Sequence, residues 1–180
     1  YSLNIGKNNF IELKASSSSG LFYGFQTFRQ LCDPKLEKKV TKNLFIQNCK
    51  IIDNPKFEYR GMHLDVSRHF FGVDFIKTYL DMISFHKMNV FHWHLTDDNG
   101  WRIEIDRYPE LTNTAAWRVD RRHEPWKEWS PIKKDEKATY GGFYTKEEIK
   151  EVIQYASDRH IKVIPEIEMP GHTSEVFSAY

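Results

Sequence analysis

Residues 59–71 read YRGMHLDVSRHFF, and they decide the fold: a strand-like run over Gly61 to Val66 ends abruptly in Ser67, Arg68 and His69. Two later stretches repeat that pattern. NVFHWHLTDD (89–98) runs through Val90, Phe91, Trp93 and Leu95 into Asp97 and Asp98. PEIEMPGHT (165–173) closes an apolar run over Ile161 to Ile167 and delivers Glu166, Glu168 and His172. In parallel α/β architectures the ligand sits outside the carboxyl ends of the strands. One arginine after one strand would be an ordinary solvated loop residue, but polar clusters at three successive strand ends mark a site.

Working outward, the spacing predicts helices between these strands. Asp74 is placed to cap a helix with Ile76, Tyr79, Leu80 and Ile83 on one stripe, ahead of a strand over Asn89 to Leu95. Thr145 and Glu148 stand at capping-box spacing before Ile149, Val152, Ile153 and Ala156, which share one helix face. Crossovers between parallel strands are almost always right-handed, so Arg68 and the Asp97–Asp98 pair should emerge on the same sheet edge. The segment from Thr96 to Tyr144 far exceeds an ordinary βα loop. It holds Trp101, Trp117, Trp126 and Trp129, four of the five tryptophans. Disordered linkers are poor in aromatics, so the expectation is an ordered excursion over the strand ends, with at least one ring lining a cleft.

Upstream the rhythm differs. SLNI and FIELKA flank Gly6-Lys7-Asn8-Asn9 as a hairpin would, and Ser16 to Gly20 offer N-caps for a helix. That helix carries Leu21, Phe22, Phe25, Phe28 and Leu31 at helical spacing, expected to be core. A strand over Leu44 to Ile52 ends in Asp53-Asn54-Pro55, a turn signal that makes the boundary between a small α+β unit (1–55) and a βα-repeating unit (56–180). The net charge of +1 with interleaved signs offers no footprint for nucleic acid or an anionic membrane, and no apolar run reaches membrane-span length. Cys32 and Cys49 lack metal spacing and are expected buried and free. No Asn-x-Ser/Thr acceptor occurs, and the chain opens without the basic-then-apolar build of a signal peptide.

Arginine, two aspartates and histidine on one strand edge suit a neutral polyhydroxy substrate, because guanidinium and carboxylate fork onto vicinal hydroxyls and aromatic faces cover a sugar ring. Asp97 and His172 make a carboxylate–imidazole pair of the kind that orients a group in contact with a catalytic one. The rival is a zinc hydrolase site built on His92-x-His94 with Asp97 and His172. Both histidines lie inside their strand, however, with Trp93 and Leu95 alternating to the other side, which speaks for packed, hydrogen-bonded rings. No metal or other cofactor is expected. A carbohydrate-binding module without turnover is the remaining alternative.

At these residues the chain resembles glycoside hydrolase family 20, the β-N-acetylhexosaminidases. The resemblance is carried by RGMHLDVSRHF (60–70), KMNVFHWHLTDDNGWRIEI (87–105), GGFYTKEEIKEVIQYA (141–156) and VIPEIEMPGHT (163–173), and extends to ASSSSGLFYGFQTFRQL before them. It implies an α/β fold, part of a (β/α)₈ TIM barrel from about Phe57 onward, preceded by the end of a small α+β domain. It implies that Arg68 grips hydroxyls of the terminal non-reducing sugar and that Asp97 and His172 support the general acid; Glu166, Glu168 and Trp101 belong to the motifs, with Glu166 and Trp101 assigned to substrate binding. The implied reaction is removal of terminal β-linked N-acetylhexosamine, with the 2-acetamido oxygen replacing the enzyme nucleophile of most retaining glycosidases. The family's adjacent Asp-Glu pair follows PGHT by some dozens of residues and does not occur before Tyr180; Asp135-Glu136 sits in a charged loop and is no substitute. Implied partners are glycans ending in N-acetylglucosamine or N-acetylgalactosamine, with a homodimer left open, and the implied location is extracellular, periplasmic or lysosomal. Three strands cannot close an eight-stranded barrel, which takes about 250 residues, so these 180 residues alone are expected to fold incompletely.

Overall fold

The computed structural model describes residues 1–7, 10–34, 45–125 and 135–180. The chain begins with β1 (Ser2–Ile5), β2 (Ile11–Lys14), α1 (Ser18–Leu31) and β3 (Cys49–Ile52). β1 lies between β2 and β3 in an antiparallel sheet, with Leu3 opposite Leu13 on one side and Ile51 on the other. Alternation turns Leu3 and Ile5 inward. The connection between β1 and β2 includes residues 8 and 9, and the early part of the strand expected from Leu44 includes that residue; these lie outside the described residues.

Helix α1 starts where expected, because the Ser17 hydroxyl accepts the backbone N–H of Gly20 at 3.1 Å. Its orientation is not the expected one. Leu21, Phe25 and Leu31 are exposed, and the buried positions are Gly24, Gln26 and Thr27. The reason is close approach to the sheet: a Cβ on Gly24 would come within 2.3 Å of a Leu13 methyl and 3.0 Å of the Tyr1 ring, so a larger residue would push those side chains aside. Thr27 and Tyr1 then share a hydroxyl contact at 2.5 Å. Phe22 turns the other way, edge-on to His160 at 5.4 Å. Both cysteines are free but only half-buried.

From residue 61 the elements are β4 (Gly61–Asp65), α2 (Val73–Phe85), β5 (Val90–His94), α4 (Lys146–Ser157) and β10 (Lys162–Glu166), with an excursion between β5 and α4. The three strands form a parallel sheet ordered β10-β5-β4. On one face Phe91 and Trp93 join Val66, Ile76, Leu80, Ile83, Val152 and Ala156 in the main apolar core against α2 and α4. Helix α2 is capped by Gly72 without a side-chain bond, and Asp74, the expected cap, lies in its first turn instead, where its charge meets the positive helix end. Helix α4 carries the full Thr145–Glu148 capping box. Ile153 is exposed, contrary to expectation, because Val152 and Ala156 take the inner face and Ile153 flanks an open apolar groove with Trp93, Leu95, Val163 and Pro165.

The excursion is ordered in its described part. It contains β6 (Thr96–Asp97) paired with β7 (Gly100–Trp101), α3 (Glu110–Asn113), and β8 (Trp117–Arg118) paired with β9 (Tyr140–Gly141). Arg102 ties it down: the fully buried guanidinium donates to the carbonyls of Val66 at 3.1 Å, Ser67 at 2.6 Å, Ala116 at 2.5 Å and Gly142 at 3.0 Å. Gly141 passes so near Ala116 that a Cβ would lie 2.0 Å from its carbonyl oxygen. The last helix is α5 (Ser174–Ala179). Trp126 and Trp129 fall outside the described residues.

Candidate active site

Asp65, at the end of β4, folds the chain back on itself. Its Oδ1 accepts the backbone N–H groups of Ser67 at 2.9 Å and Arg68 at 3.0 Å, while Oδ2 accepts Arg68 Nη1 at 2.8 Å. Burial pushes this carboxyl up, but the bonds from Arg68 outweigh burial and hold it below its usual range. The turn aims Arg68 Nη2 at Asp97 Oδ2, 2.6 Å away. Ser67 places its hydroxyl between the carbonyls of Asp97 at 3.2 Å and Gly100 at 2.8 Å, fixing the same pair of segments through the backbone.

His172 arrives from beyond β10 in a left-handed conformation with φ 53°. Its Nδ1 stands 3.4 Å from Asp97 Oδ1 and 3.3 Å from Asp98 Oδ2, and its hydrogen bond goes to Asp98, so the imidazole is shared by both carboxylates of the pair. That bond, and behind it the charge of Asp97, raise the imidazole above its ordinary value. Asp98 is lowered by the hydroxyl and backbone N–H of Ser174. Arg68, Asp97 and His172 thus meet at the carboxyl ends of three adjacent parallel strands, on the one edge where the spacing predicted them.

These side chains, with His69, Asp98 and Arg118, line a cleft of about 930 Å³. The excursion supplies its wall. Arg118 donates to the Arg68 carbonyl at 2.6 Å and lies over the Tyr140 ring at 5.1 Å; the Tyr140 hydroxyl meets His69 Nδ1 at 2.8 Å and accepts Phe70 N–H at 3.1 Å. Glu136 of the charged loop is taken up by Arg121 in a two-pronged pair at 2.5 and 2.6 Å. A cleft with a guanidinium, carboxylates and an imidazole on its floor can fork onto vicinal hydroxyls.

Two residues expected at the substrate are elsewhere. Trp101 is 2% exposed, packed with Leu111 and Ala115, and donates its indole N–H to the Ile103 carbonyl at 2.6 Å. It is absent from the lining of the cleft and faces Tyr108, Met169 and Val176 instead. Glu166 turns toward the histidines of the sheet: its Oε2 is 2.7 Å from His92 Nε2 and 2.8 Å from His94 Nδ1. Burial raises this carboxyl, but hydrogen bonding with Glu168 and, behind it, the facing rings of His94 and His92 bring it below its usual range. Glu168 donates its backbone N–H to the Thr96 hydroxyl at 2.8 Å. Sequence reasoning missed His63, which joins this cluster, and Glu175, which is 5% exposed with its carboxyl pushed up to about 7 by burial and by Asp98 and Asp97.

Among the described residues, two groups of side chains are close enough to face one ion: His63, His94 and Glu166, and Asp97, Asp98 and His172. Zinc at 2.0–2.1 Å from four ligands keeps them about 3.3 Å apart. Glu166 Oε2 stands 2.8 Å from His94 Nδ1, closer together than two ligands of one zinc. In the second group Asp97 already faces the cation of Arg68, which opposes a further positive charge.

Comparison with known proteins places the chain in one family. The pattern for glycosyl hydrolase family 20, catalytic domain, matches residues 57–180, and that for domain 2 of the same family matches residues 1–53. The chain is 42% identical over 172 residues to a β-hexosaminidase of Porphyromonas gingivalis, covering 94% of the chain and 20% of the relative. It is 45% identical over 170 residues to a β-hexosaminidase of Vibrio furnissii, covering 94% and 26%. Its structure is similar to a family 20 exo-β-N-acetylglucosaminidase of Vibrio harveyi crystallised with N-acetylglucosamine, at TM-score 0.85 and 41% identity over 99% of the chain and 27% of the other. A Streptomyces plicatus N-acetyl-β-hexosaminidase gives TM-score 0.85 at 39% identity, over all of the chain and 33% of the other. The chain therefore spans a fifth to a third of the length of these relatives. With the catalytic-domain pattern matched over residues 57–180 and the domain 2 pattern over residues 1–53, the chain belongs to glycosyl hydrolase family 20.

Proposed function

We propose that this chain joins the end of a small α+β domain, residues 1–55, to the first part of a (β/α)₈ catalytic barrel, residues 56–180, in a β-N-acetylhexosaminidase. The observation that carries the reading is the Arg68–Asp97 pair at 2.6 Å with His172 3.4 Å beyond it, on the floor of an open cleft. Arg68 binds hydroxyls of the terminal non-reducing sugar. Asp97 and His172 orient the acid that protonates the leaving oxygen, and that acid comes from outside these residues. The 2-acetamido oxygen of the substrate attacks its own anomeric carbon, so retention needs no enzyme nucleophile. Substrates are β-linked glycans ending in N-acetylglucosamine or N-acetylgalactosamine.

The test is release of N-acetylhexosamine from a chromogenic β-glycoside by the full-length protein, with the product anomer followed by NMR. Retention is expected, and Arg68→Ala should lower kcat/KM about a hundredfold, because a charged two-pronged contact is lost from both ground and transition states. Inversion, or sugar binding without turnover, would defeat the reading. Activity abolished by a chelator and restored by zinc would favour a hydrolase built on the histidines of β5.

A further inference from the structure

The strand register that builds the site also builds a polar face beneath it. Asp65, His94 and Glu166 stand side by side across β4, β5 and β10, and His63 and His92 lie two residues earlier on the same face. His94 occupies the middle. Its Nε2 is 3.1 Å from Asp97 Oδ2 and its Nδ1 is 2.8 Å from Glu166 Oε2. A carboxylate only accepts, so the ring donates its Nε2–H to Asp97. The other nitrogen, Nδ1, stands 2.8 Å from Glu166 Oε2 and 3.5 Å from His63 Nε2, and when the ring carries its second proton there Glu166 holds that side by charge.

Asp97 needs such an anchor. Its side chain is 3% exposed, yet two of its partners are loose: Arg68 is 47% and His172 58% exposed at the side chain. His94, at 9%, is held far more tightly. An imidazole can flip about its last bond, and partners at both ring nitrogens remove that freedom.

We propose that Glu166 and His94 are positioning residues behind Asp97: Glu166 fixes the ring of His94, and the ring fixes the Asp97 carboxylate toward Arg68 and His172. The assignment rests on the hexosaminidase reading and replaces the expected contact of Glu166 with substrate. The charged and titratable groups facing this row are His63, Asp65 and Arg68 from β4 and its turn, His92 and Asp98 from β5 and its continuation, and Glu168 and His172 beyond β10.

Glu166→Gln keeps the size of the side chain and removes its charge. In the full-length protein it should lower kcat about tenfold or more while KM moves less than threefold. The pH profile of kcat should shift to lower pH, since removing a negative charge makes protons bound nearby easier to lose. The double variant His94→Phe with Glu166→Gln should be no slower than His94→Phe alone, because both act along one path. NMR of ¹⁵N-labelled histidine gives a readout independent of turnover: an Nε2–H resonance is expected that vanishes in His94→Phe and moves in Glu166→Gln. A lowered Tm with kcat and pH profile unchanged would reduce the pair to filling and overturn the proposal. So would losses that multiply, a resonance that does not move, or micromolar zinc binding lost in Glu166→Gln. Absence of any hexosamine release by the parent protein would defeat the activity reading alone, and the NMR arm would still decide the His94–Glu166 link.

Discussion

Arg102 shows how much one side chain can hold. Burial pushes its guanidinium down to about 10, so it remains charged at neutral pH, and that charge is spread over carbonyls from the end of β4 and from both limbs of the excursion. Arg102→Leu should cost about 3–5 kcal/mol, read as a shift in the denaturant midpoint, because several buried carbonyls lose their donor at once. An unchanged midpoint would mean that water or other donors replace it. Glu175 gives a pH-dependent prediction of opposite sign. Its folded value of about 7 lies above the ordinary 4.5, so the folded state holds the proton more tightly. The resulting cost is absent below about pH 4.5, grows as pH rises and is complete above about pH 7. Glu175→Gln should therefore stabilise the protein by about 1–3 kcal/mol at pH 8 and by nothing measurable at pH 4.5, as followed by thermal unfolding. Neither role was legible beforehand. Arg102 stands in an unremarkable polar–apolar alternation, and the burial of Glu175 depends on packing between α5 and the excursion. The shared edge of Arg68, Asp97 and His172 was legible because each follows an apolar strand run, Arg68 and Asp97 within three residues and His172 after a Pro-Gly turn, a signal that needs no knowledge of partners.

Elements read well from sequence where a local rule governs them. Helix α4 starts at Thr145 because the hydroxyl and the Glu148 carboxylate cap each other's backbone N–H groups, and the residues carry that rule on their face. Thr145→Ala should cost about 1 kcal/mol in stability and leave KM unchanged, a pairing checked by denaturant unfolding beside kinetics. Helix α1 was read with its faces reversed because the rule was not local. Its aromatic stripe is real, but the docking surface is decided by Gly24 meeting Leu13, a contact that periodicity alone does not rank. The polar face of the sheet was hidden for a related reason: His63, His94 and Glu166 become neighbours only once three strands are laid in register.

On the scale of the molecule, β4 and β10 are the outer strands of their sheet among the described residues, and the groove beside β10 leaves apolar surface open. Residues 1–180 expressed alone should therefore self-associate and turn over no β-N-acetylglucosaminide. A monomer that unfolds cooperatively and turns over substrate at an enzyme's usual rate would contradict this. The grip of Arg118 on the carbonyl of Arg68 bears on a different question, how substrate range is inherited within the family. Because the excursion holds the backbone of the arginine proposed to bind the sugar, the two segments should act as one unit. A chimera that borrows a relative's excursion while keeping its own turn at Ser67–His69 would inherit a misaimed guanidinium, so preference for new glycans should transfer between relatives only when both segments are exchanged together.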